Sequence, residues 1–174
     1  MKVVVLTGPE STGKSWLCEQ IQSHFGGIVV HEYVRHFIDL HQRDTTYADI
    51  TPIAQGQLAW EDQARAQAPN LLILDTHLLS NILWSRTLFG QVPDWLEPAL
   101  LDRHYDLHLL LSPEQVPWCD DGQRCQPSLA ERQGFYQQCQ QWLADNHQAW
   151  QGIAGDWHTR QQAAFKAVQI LLNR

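Results

Sequence analysis

The segment Gly8–Ser15 combines residue types and spacing that suit the binding of phosphate groups. It reads G-P-E-S-T-G-K-S and matches the P-loop pattern G-x-x-x-x-G-K-[ST]. Its two glycines let the backbone turn N–H groups toward phosphate oxygens, and the positive end of the following helix points to the same place. The pattern predicts that Lys14 reaches the β- and γ-phosphates of a nucleoside triphosphate and that the Ser15 hydroxyl holds Mg²⁺.

The alternative for this segment is a glycine-rich turn between a strand and a helix, without a ligand. The chain has only three lysines, Lys2, Lys14 and Lys166, so a lysine at the motif position is informative. The apolar run Val3–Leu6 directly before the motif predicts the buried strand that a P-loop requires. The sequence therefore favours binding of a nucleoside triphosphate.

A carboxylate, Asp75, follows the apolar run Leu71–Leu74. An aspartate at the end of a buried strand beside a P-loop is the Walker B arrangement, in which the carboxylate supports Mg²⁺ directly or through water. Such an aspartate can also simply cap the next helix. The presence of the P-loop favours the metal-supporting role.

Four further charged residues suit the transfer of a phosphoryl group to an alcohol. This reaction needs a carboxylate near the hydroxyl, cations near the phosphoryl group, and exclusion of water. Glu32 and Arg35 follow the short apolar run Ile28–Val30, at the sheet edge where open α/β folds bind ligands. Arg124 and Arg132 flank a loop later in the chain and could close over the phosphates as a lid. The alternative is a surface ion pair and two solvated arginines.

Missing motifs argue against the other common classes of P-loop protein. A motor-type ATPase carries a glutamate after the Walker B aspartate, whereas this chain has Thr76. A GTPase reads guanine through a motif such as N-K-x-D, and no lysine of this chain lies in one. Neither kind of hydrolysis fits the sequence well.

Composition narrows the choice of partners and of cellular location. The net charge is −7, the isoelectric point is about 5.6, and no basic cluster occurs, so we expect no nucleic-acid partner. No apolar run approaches the ~18 residues of a membrane span, and the start of the chain lacks the regions of a signal peptide. We therefore expect a cytoplasmic protein whose cysteines are reduced.

Alternating strands and helices predict an α/β P-loop fold, with a parallel sheet covered by helices on both faces. We predict one domain over residues 1–174, with a lid segment at about 113–132. Strands are predicted at 3–6, 28–30, 71–75 and 107–111 and more weakly near Ile153. Helices are predicted after the P-loop, at 51–68, after Asp75, at 93–101, after Ser128 and at the end of the chain. The helix at 51–68 is predicted to start with Thr51 as its N-cap and Pro52 as its first residue. The helix after Ser128 is predicted from a capping box at Ser128–Glu131.

Four segments in this order resemble the ribosylnicotinamide kinase domain of the NadR family. They are Gly8–Ser15, Glu32–Arg35, Asp75–Thr76, and Trp118–Arg124 followed by Arg132. The similarity in motif order extends over nearly the whole chain. P-loops are shared by very many proteins, whereas the E-Y-x-R and D-D-G-x-R segments are much more specific.

The resemblance implies a nucleotide-kinase-like P-loop fold and a small-molecule nucleoside as substrate. The family phosphorylates the 5′-hydroxyl of nicotinamide riboside with ATP and Mg²⁺, giving nicotinamide mononucleotide for NAD biosynthesis. The implied catalytic residues are Lys14, Glu32, Asp75 and Arg124, and the implied metal residues are Ser15 and Asp75. The implied ATP site comprises Gly8, Glu10, Ser11, Thr12, Gly13, Lys14, Ser15, Trp16, Arg124 and Arg132, and the implied riboside site comprises Glu32, Tyr33, Arg35 and Asp75.

Several alternatives stay open from the sequence. The acceptor could be another nucleoside or nucleotide, or the chain could be an ATP-binding regulatory module with slow hydrolysis. Glu32 is favoured as the base, but Asp75 is not excluded. Cation–π stacking could hold the cationic nicotinamide ring, and the candidate aromatics are Tyr33, Trp60, Trp84 and Trp118. Full-length family members carry an adenylyltransferase domain and often a DNA-binding domain ahead of the kinase, and we expect neither activity here.

Overall fold

The computed structural model describes all 174 residues and contains one five-stranded sheet in which every pair of neighbouring strands is parallel. The strand order is β2-β3-β1-β4-β5. The strands are β1 (Lys2–Thr7), β2 (Ile28–Val30), β3 (Leu71–Asp75), β4 (Leu107–Leu111) and β5 (Trp150–Ile153). The helices are α1 (Lys14–Phe25), α2 (Tyr33–His41), α3 (Tyr47–Ala66), α4 (Leu78–Phe89), α5 (Leu96–Leu101), α6 (Leu129–Asp145) and α7 (Trp157–Leu172).

Helices cover both faces of the sheet, as the apolar runs predict for parallel strands. Side chains alternate along β1, so that Val3 and Val5 pack into the core layer that contains residues of α3 to α6. Val4 and Leu6 face the opposite layer, where α1 and α7 pack. The predicted fold class is confirmed, and no helix combines the length and apolar character needed to cross a lipid bilayer.

Helix α3 begins earlier than the sequence prediction. It starts at Tyr47 rather than at Thr51-Pro52, and Thr46 and Asp49 form a capping box at its N-terminus. The side chain of Asp49 also accepts hydrogen bonds from Arg43, which fixes the preceding loop. Pro52 therefore lies inside the helix. The predicted helix start at Thr51-Pro52 was wrong because a capping box occurs five residues earlier in the sequence, at Thr46.

One helix was not predicted, and two other local predictions need correction. Helix α2 was not foreseen, although it carries Arg35, and α5 begins at Leu96 rather than at Pro93. Helix α6 begins at Leu129 after its predicted N-cap, but Ser128 makes no side-chain capping bond. The capping-box prediction was therefore wrong in its contacts and right in the position of the helix.

Candidate active site

The P-loop follows β1 directly and leads into α1. Gly8 and Gly13 both have a positive φ, at 128° and 84°, which explains why glycine suits these positions. The Nζ atom of Lys14 donates hydrogen bonds to the carbonyl oxygens of Gly8 at 3.1 Å and Pro9 at 2.7 Å. The ammonium group is thus held within the loop, at the place where the pattern puts phosphate groups.

The predicted Walker B residue lies beside the P-loop. Strand β3 pairs with β1 and brings Asp75 opposite Leu6, and Asp75 Oδ2 accepts a 2.5 Å hydrogen bond from the hydroxyl of Ser15. A hydroxyl and a carboxylate so close together are oxygen ligands of the kind that Mg²⁺ binds. The residues present therefore fit a magnesium ion.

Backbone strain occurs directly after this carboxylate. Thr76 has a φ of 71°, in the left-handed region that β-branched residues rarely adopt. Its N–H donates to the carbonyl of Leu6, which extends the strand pairing past Asp75. Such strain is commonly found at functional sites, and it accompanies the turn that leads from Asp75 into α4.

Glu32 is the N-cap residue of α2, at the carboxyl end of β2. Its side chain is 18% exposed and forms an ion pair with Arg35, whose Nε lies 3.2 Å from Glu32 Oε2. Burial raises the pKa of the Glu32 carboxyl above its ordinary value, although Lys14 opposes the shift. The nearby carboxylate of Asp75 adds to the rise, so Glu32 holds a proton more readily than an exposed glutamate does.

Gln57, a buried residue of α3, fixes the backbone on both sides of Glu32. The side-chain oxygen of Gln57 accepts a 2.8 Å hydrogen bond from the N–H of Tyr33, and its amide group donates to the His31 carbonyl at 3.4 Å. Gly56 leaves room for the ring of Tyr33, which a Cβ atom there would strike. That ring also packs against Trp60, so it turns toward α3.

One cavity of about 280 Å³ joins these groups. Of the residues predicted for the site, the cavity is lined by Gly8, Glu10, Ser11, Thr12, Gly13, Lys14, Ser15, Trp16, Glu32, Arg35, Asp75 and Arg124. Tyr33 and Arg132 are not among the lining residues. Of the four aromatic residues considered for stacking on a nicotinamide ring, Trp84 alone lines the cavity.

The cavity also has an apolar wall, of which the sequence had indicated only Trp84, and polar groups that had not been assigned to the site. The apolar wall consists of Val34, Ile38, Ile50, Ile53, Trp84 and Leu88, and the missed polar residues are Thr45, Gln57, Thr76, Ser80, Asn81 and Gln123. Ser80 and Asn81 lie just after the Asp75 strand end, at the sheet edge where ligands bind. Ser80 and Asn81 could therefore have been predicted as site residues from the sequence. Gln57 could not, because its position in the cavity depends on how α3 packs.

The segment between β4 and α6, residues 112–128, lies on the P-loop. Glu10 is its main attachment, because its carboxylate accepts hydrogen bonds from Trp118 Nε1 at 2.8 Å and from the N–H groups of Cys125 at 3.2 Å and Gln126 at 2.6 Å. Ser11 accepts a further hydrogen bond from the N–H of Cys119. The segment therefore covers the phosphate end of the cavity.

The same segment is tied to the Glu32 side of the cavity through charges. Asp121 forms a 2.7 Å ion pair with Arg35 and a 3.1 Å ion pair with Arg124. Partial burial acts to raise the pKa of Asp121, but the hydrogen bond and charge of Arg35, together with smaller contributions, hold this pKa below its ordinary value, so the carboxyl stays ionised. A chain of alternating charges thus runs from Glu32 through Arg35 and Asp121 to Arg124.

Arg132 lies at the end of the first turn of α6 and is 4% exposed. Its Nε and Nη1 atoms are buried and have no hydrogen-bond partner. A buried guanidinium without partners is costly. No side chain of the protein pairs with this cation, so it is available to bind an anionic ligand.

Comparison with known proteins places the chain in a family. A family model described as an AAA domain matches residues 3–160, which include the P-loop, Glu32, Asp75 and both arginines of the predicted lid. The chain belongs to this family. The AAA-domain match agrees with the P-loop fold predicted from the sequence.

A curated relative of this AAA-domain chain is the trifunctional NAD biosynthesis/regulator protein NadR of Salmonella typhimurium. The two are 25% identical over 151 residues, which cover 84% of this chain and 37% of the relative. The chain therefore spans little more than a third of the length of this relative. The resemblance expected from the four segments is confirmed as a similarity in sequence.

Two solved structures share the fold. A NadR protein in complex with NR has a TM-score of 0.81 and 23% identity, with coverage of 99% of this chain and 52% of the other. Deoxyadenosine kinase from M. mycoides with bound dATP has a TM-score of 0.66 and 12% identity, with coverage of 97% and 100%. The fold is thus similar to that of a nucleoside kinase over its whole length.

Proposed function

We propose that this chain is an ATP-dependent kinase that phosphorylates the ribose 5′-hydroxyl of nicotinamide riboside and yields nicotinamide mononucleotide. The observation that carries the proposal is the single cavity lined by Lys14, by the Ser15 and Asp75 pair, and by Glu32. Similarity to NadR, a NAD biosynthesis protein, and to a NadR structure in complex with NR, an abbreviation for nicotinamide riboside, supports this substrate. The cytoplasm supplies ATP and Mg²⁺, and we place the reaction there.

The phosphate end of the cavity is suited to ATP. Lys14 would exchange the carbonyls of Gly8 and Pro9 for the β- and γ-phosphates, because charged phosphate oxygens are stronger acceptors. Ser15 and Asp75 would hold Mg²⁺. When bound, the ion would neutralise charge that develops on the phosphate oxygens.

Glu32 is suited to accept the proton of the ribose hydroxyl. Its raised pKa makes it a better base than an exposed carboxylate, and Arg35 holds its side chain in place. The hydroxyl oxygen would attack the γ-phosphorus while its proton passes to Glu32, and the bond from the γ-phosphorus to the bridging oxygen of ADP would break. We favour Glu32 over Asp75 as the base because Asp75 is engaged with Ser15.

Two arginines are available to the transferring phosphoryl group. Arg124 lines the cavity and would place its cation beside the γ-phosphate, where charge develops. Arg132 follows the covering segment by four residues in the sequence and does not line the cavity, but its unpartnered guanidinium suits a second contact if the lid closes when ATP binds. Residues 113–132 would act as the lid that excludes water during transfer.

The apolar wall is suited to the nicotinamide ring. This ring is flat and positively charged, and an indole face attracts such a cation. Trp84 lines the cavity and packs against Phe135, with ring centroids 5.0 Å apart, which limits its motion. We therefore assign Trp84 to the ring, and the place of the Tyr33 ring against α3 argues against a direct contact.

A second candidate is a kinase of another nucleoside. The similarity in fold to a deoxyadenosine kinase supports it, because the P-loop and the lid carry no information about the base. The two candidates differ in the ring that the apolar wall accepts.

The proposal is tested by identifying the products with ³¹P NMR and mass spectrometry. With ATP, Mg²⁺ and nicotinamide riboside we expect ADP and nicotinamide mononucleotide in equal amounts, with the new phosphate on the 5′-oxygen. Lys14→Ala should abolish the reaction, and Lys166→Ala, which removes an exposed lysine of α7, should leave it unchanged. Inorganic phosphate as the only product besides ADP, or full activity in Lys14→Ala, would contradict the proposal.

A further inference from the structure

The first turn of α7 packs against the P-loop. The ring of Trp157 occupies the space beside Gly13, so that a Cβ atom at Gly13 would collide with it. Trp157 also makes an edge-to-face contact with Trp16, with ring centroids 5.2 Å apart. The C-terminal helix, which the motifs leave without a role, therefore supports the back of the phosphate-binding loop.

Arg160 lies one turn further along α7 and is fully buried. Its guanidinium donates hydrogen bonds to three carbonyl oxygens: Gly155 at 2.6 Å, Glu114 at 2.7 Å and Thr12 at 3.5 Å. These carbonyls belong to the turn before α7, to the start of the segment that covers the cavity, and to the P-loop. One side chain thus joins three loops that meet at the phosphate end of the site.

The charge of Arg160 has no partner of opposite sign. All of its hydrogen bonds go to neutral carbonyls, and none of the ion pairs in the structure includes it. Arginines are almost never fully buried without an anion, because removing the charge from water is costly. A triphosphate on the other side of the P-loop would supply the missing negative charge.

The contact with Thr12 gives a physical link to that triphosphate. The carbonyl of Thr12 and the N–H of Gly13 belong to one peptide group, so a cation at the oxygen increases the positive character of the N–H. Gly13 is the P-loop glycine that precedes Lys14, and N–H groups of this loop bind phosphate oxygens. Arg160 thus acts on the phosphate site through the backbone.

We propose that Arg160 is a positioning residue for the triphosphate of ATP. Its buried cation holds the P-loop and the start of the covering segment in register and adds positive potential behind the loop, without touching the nucleotide. The inference rests on the proposed nucleotide site and extends it to α7. A purely structural clamp would also bury Arg160, but it would leave the affinity of the folded protein for phosphates unchanged.

The test measures the affinity of the protein for ATP and for inorganic tripolyphosphate by calorimetry, with Mg²⁺ and without any acceptor. In Arg160→Met we expect both dissociation constants to rise about tenfold or more, the effect typical of a lost buried charge. Arg160→Lys keeps the charge and should lose less. Lys166→Met removes one positive charge from the exposed side of the same helix, and we expect it to bind both ligands within about twofold of the wild type, because exposed charges are screened.

Equal affinity of folded Arg160→Met and wild type for tripolyphosphate would overturn the inference, as would a wild type that does not bind tripolyphosphate. If Arg160→Met does not fold, NMR of the wild type labelled with ¹⁵N-arginine decides. Tripolyphosphate should then shift the Nε–H signal of Arg160, and an unchanged signal at saturation would overturn the inference. Binding is measured without an acceptor, so Arg160-dependent binding in a protein that does not phosphorylate nicotinamide riboside would contradict only the proposed function.

Discussion

The hydroxyl of Ser15 donates a 2.5 Å hydrogen bond to Oδ2 of Asp75. These residues are sixty positions apart in the sequence and meet because β3 lies directly beside β1 in the sheet. The contact joins the P-loop serine to the Walker B carboxylate. It defines the place where we expect Mg²⁺ to bind.

Asp75→Asn should weaken the response of the enzyme to Mg²⁺. The amide keeps the size of the side chain and removes the negative charge that attracts the ion. We expect the Mg²⁺ concentration for half-maximal activity to rise about tenfold or more, as with other changes around metal ligands. The measurement is a magnesium titration at saturating ATP and riboside, with exposed Asp102→Asn as control, and an unchanged midpoint would remove Asp75 from the metal site.

Glu32→Gln should lower turnover while ATP affinity is retained. The amide keeps the shape of Glu32 but cannot accept the hydroxyl proton, and loss of a general base typically costs about a hundredfold or more. Steady-state kinetics and ATP binding by calorimetry separate the two effects. Glu19→Gln, an exposed change on α1, serves as the control. Wild-type turnover in Glu32→Gln would mean either that Asp75 is the base or that the reaction needs no base.

The acid side of the pH profile should report the pKa of Glu32. Only the ionised carboxylate can act as a base, so kcat should fall as the pH is lowered through this pKa. Because burial raises the pKa, we expect the fall at a pH above the value of about 4.3 that is usual for glutamate. Measurement of kcat from pH 8 downward tests this, and full activity at or below the usual value would contradict the raised pKa.

Trp84→Leu should weaken riboside binding more than ATP binding. Leucine fills part of the apolar wall but lacks the π-system that attracts a cationic ring, a contact worth about 0.5 to 2 kcal/mol. We expect KM for nicotinamide riboside to rise several-fold and KM for ATP to stay near the wild-type value. Trp60→Leu is the matched control because Trp60 contacts Tyr33 outside the cavity, and a larger effect in the control would reject the assignment.

A buried histidine pair should make folding stability depend on pH. His77 Nε2 lies 3.2 Å from His108 Nε2, and His108 Nδ1 lies 3.2 Å from the carbonyl of Ala149. The Nδ1 of His108 therefore donates to Ala149 and its Nε2 accepts from His77, an arrangement in which both rings are neutral. Burial lowers the pKa of His77 well below its ordinary value and that of His108 to about 4.

The sign of the effect follows from where protons bind. Below about pH 6.5 the unfolded chain protonates these histidines while the folded chain keeps them neutral, so the free energy of unfolding falls as pH is lowered. Between pH 6.5 and about 4 the contribution of His108 should decrease by roughly 3 kcal/mol. The free energy of unfolding, measured by urea titration at several pH values in this range, should depend less steeply on pH in His108→Gln than in the wild type. His104→Gln, at an exposed site, should keep the wild-type slope, and equal slopes in all three proteins would contradict the prediction.

Local patterns in the sequence predicted the sheet and half of the site. Buried strands appear as apolar runs, and Gly8–Ser15 and Asp75 lie next to such runs, so their positions at one sheet edge could be foreseen. Long-range contacts could not. Glu10 accepts a hydrogen bond from Trp118, which lies 108 residues further along the chain. The sequence pattern places Arg160 as an ordinary polar residue at the start of an amphipathic helix, although its side chain is fully buried.

The start of α3 shows why helix boundaries were harder to predict. Pro52 follows a threonine and resembles the first turn of a helix, yet the capping box of Thr46 and Asp49 begins the helix earlier. The ring of Tyr33 turns toward α3 because Gly56 leaves a gap there. Both outcomes depend on packing between neighbouring elements, which a single sequence does not specify.

The most direct test of the central claim is ADP release from ATP and Mg²⁺, compared with and without nicotinamide riboside and beside a panel of common nucleosides. We predict strong stimulation by nicotinamide riboside and a kcat/KM for it well above that for every other acceptor. Preference for another nucleoside would leave a kinase with a different substrate. Slow hydrolysis that no acceptor stimulates would contradict the assignment of this site to phosphoryl transfer.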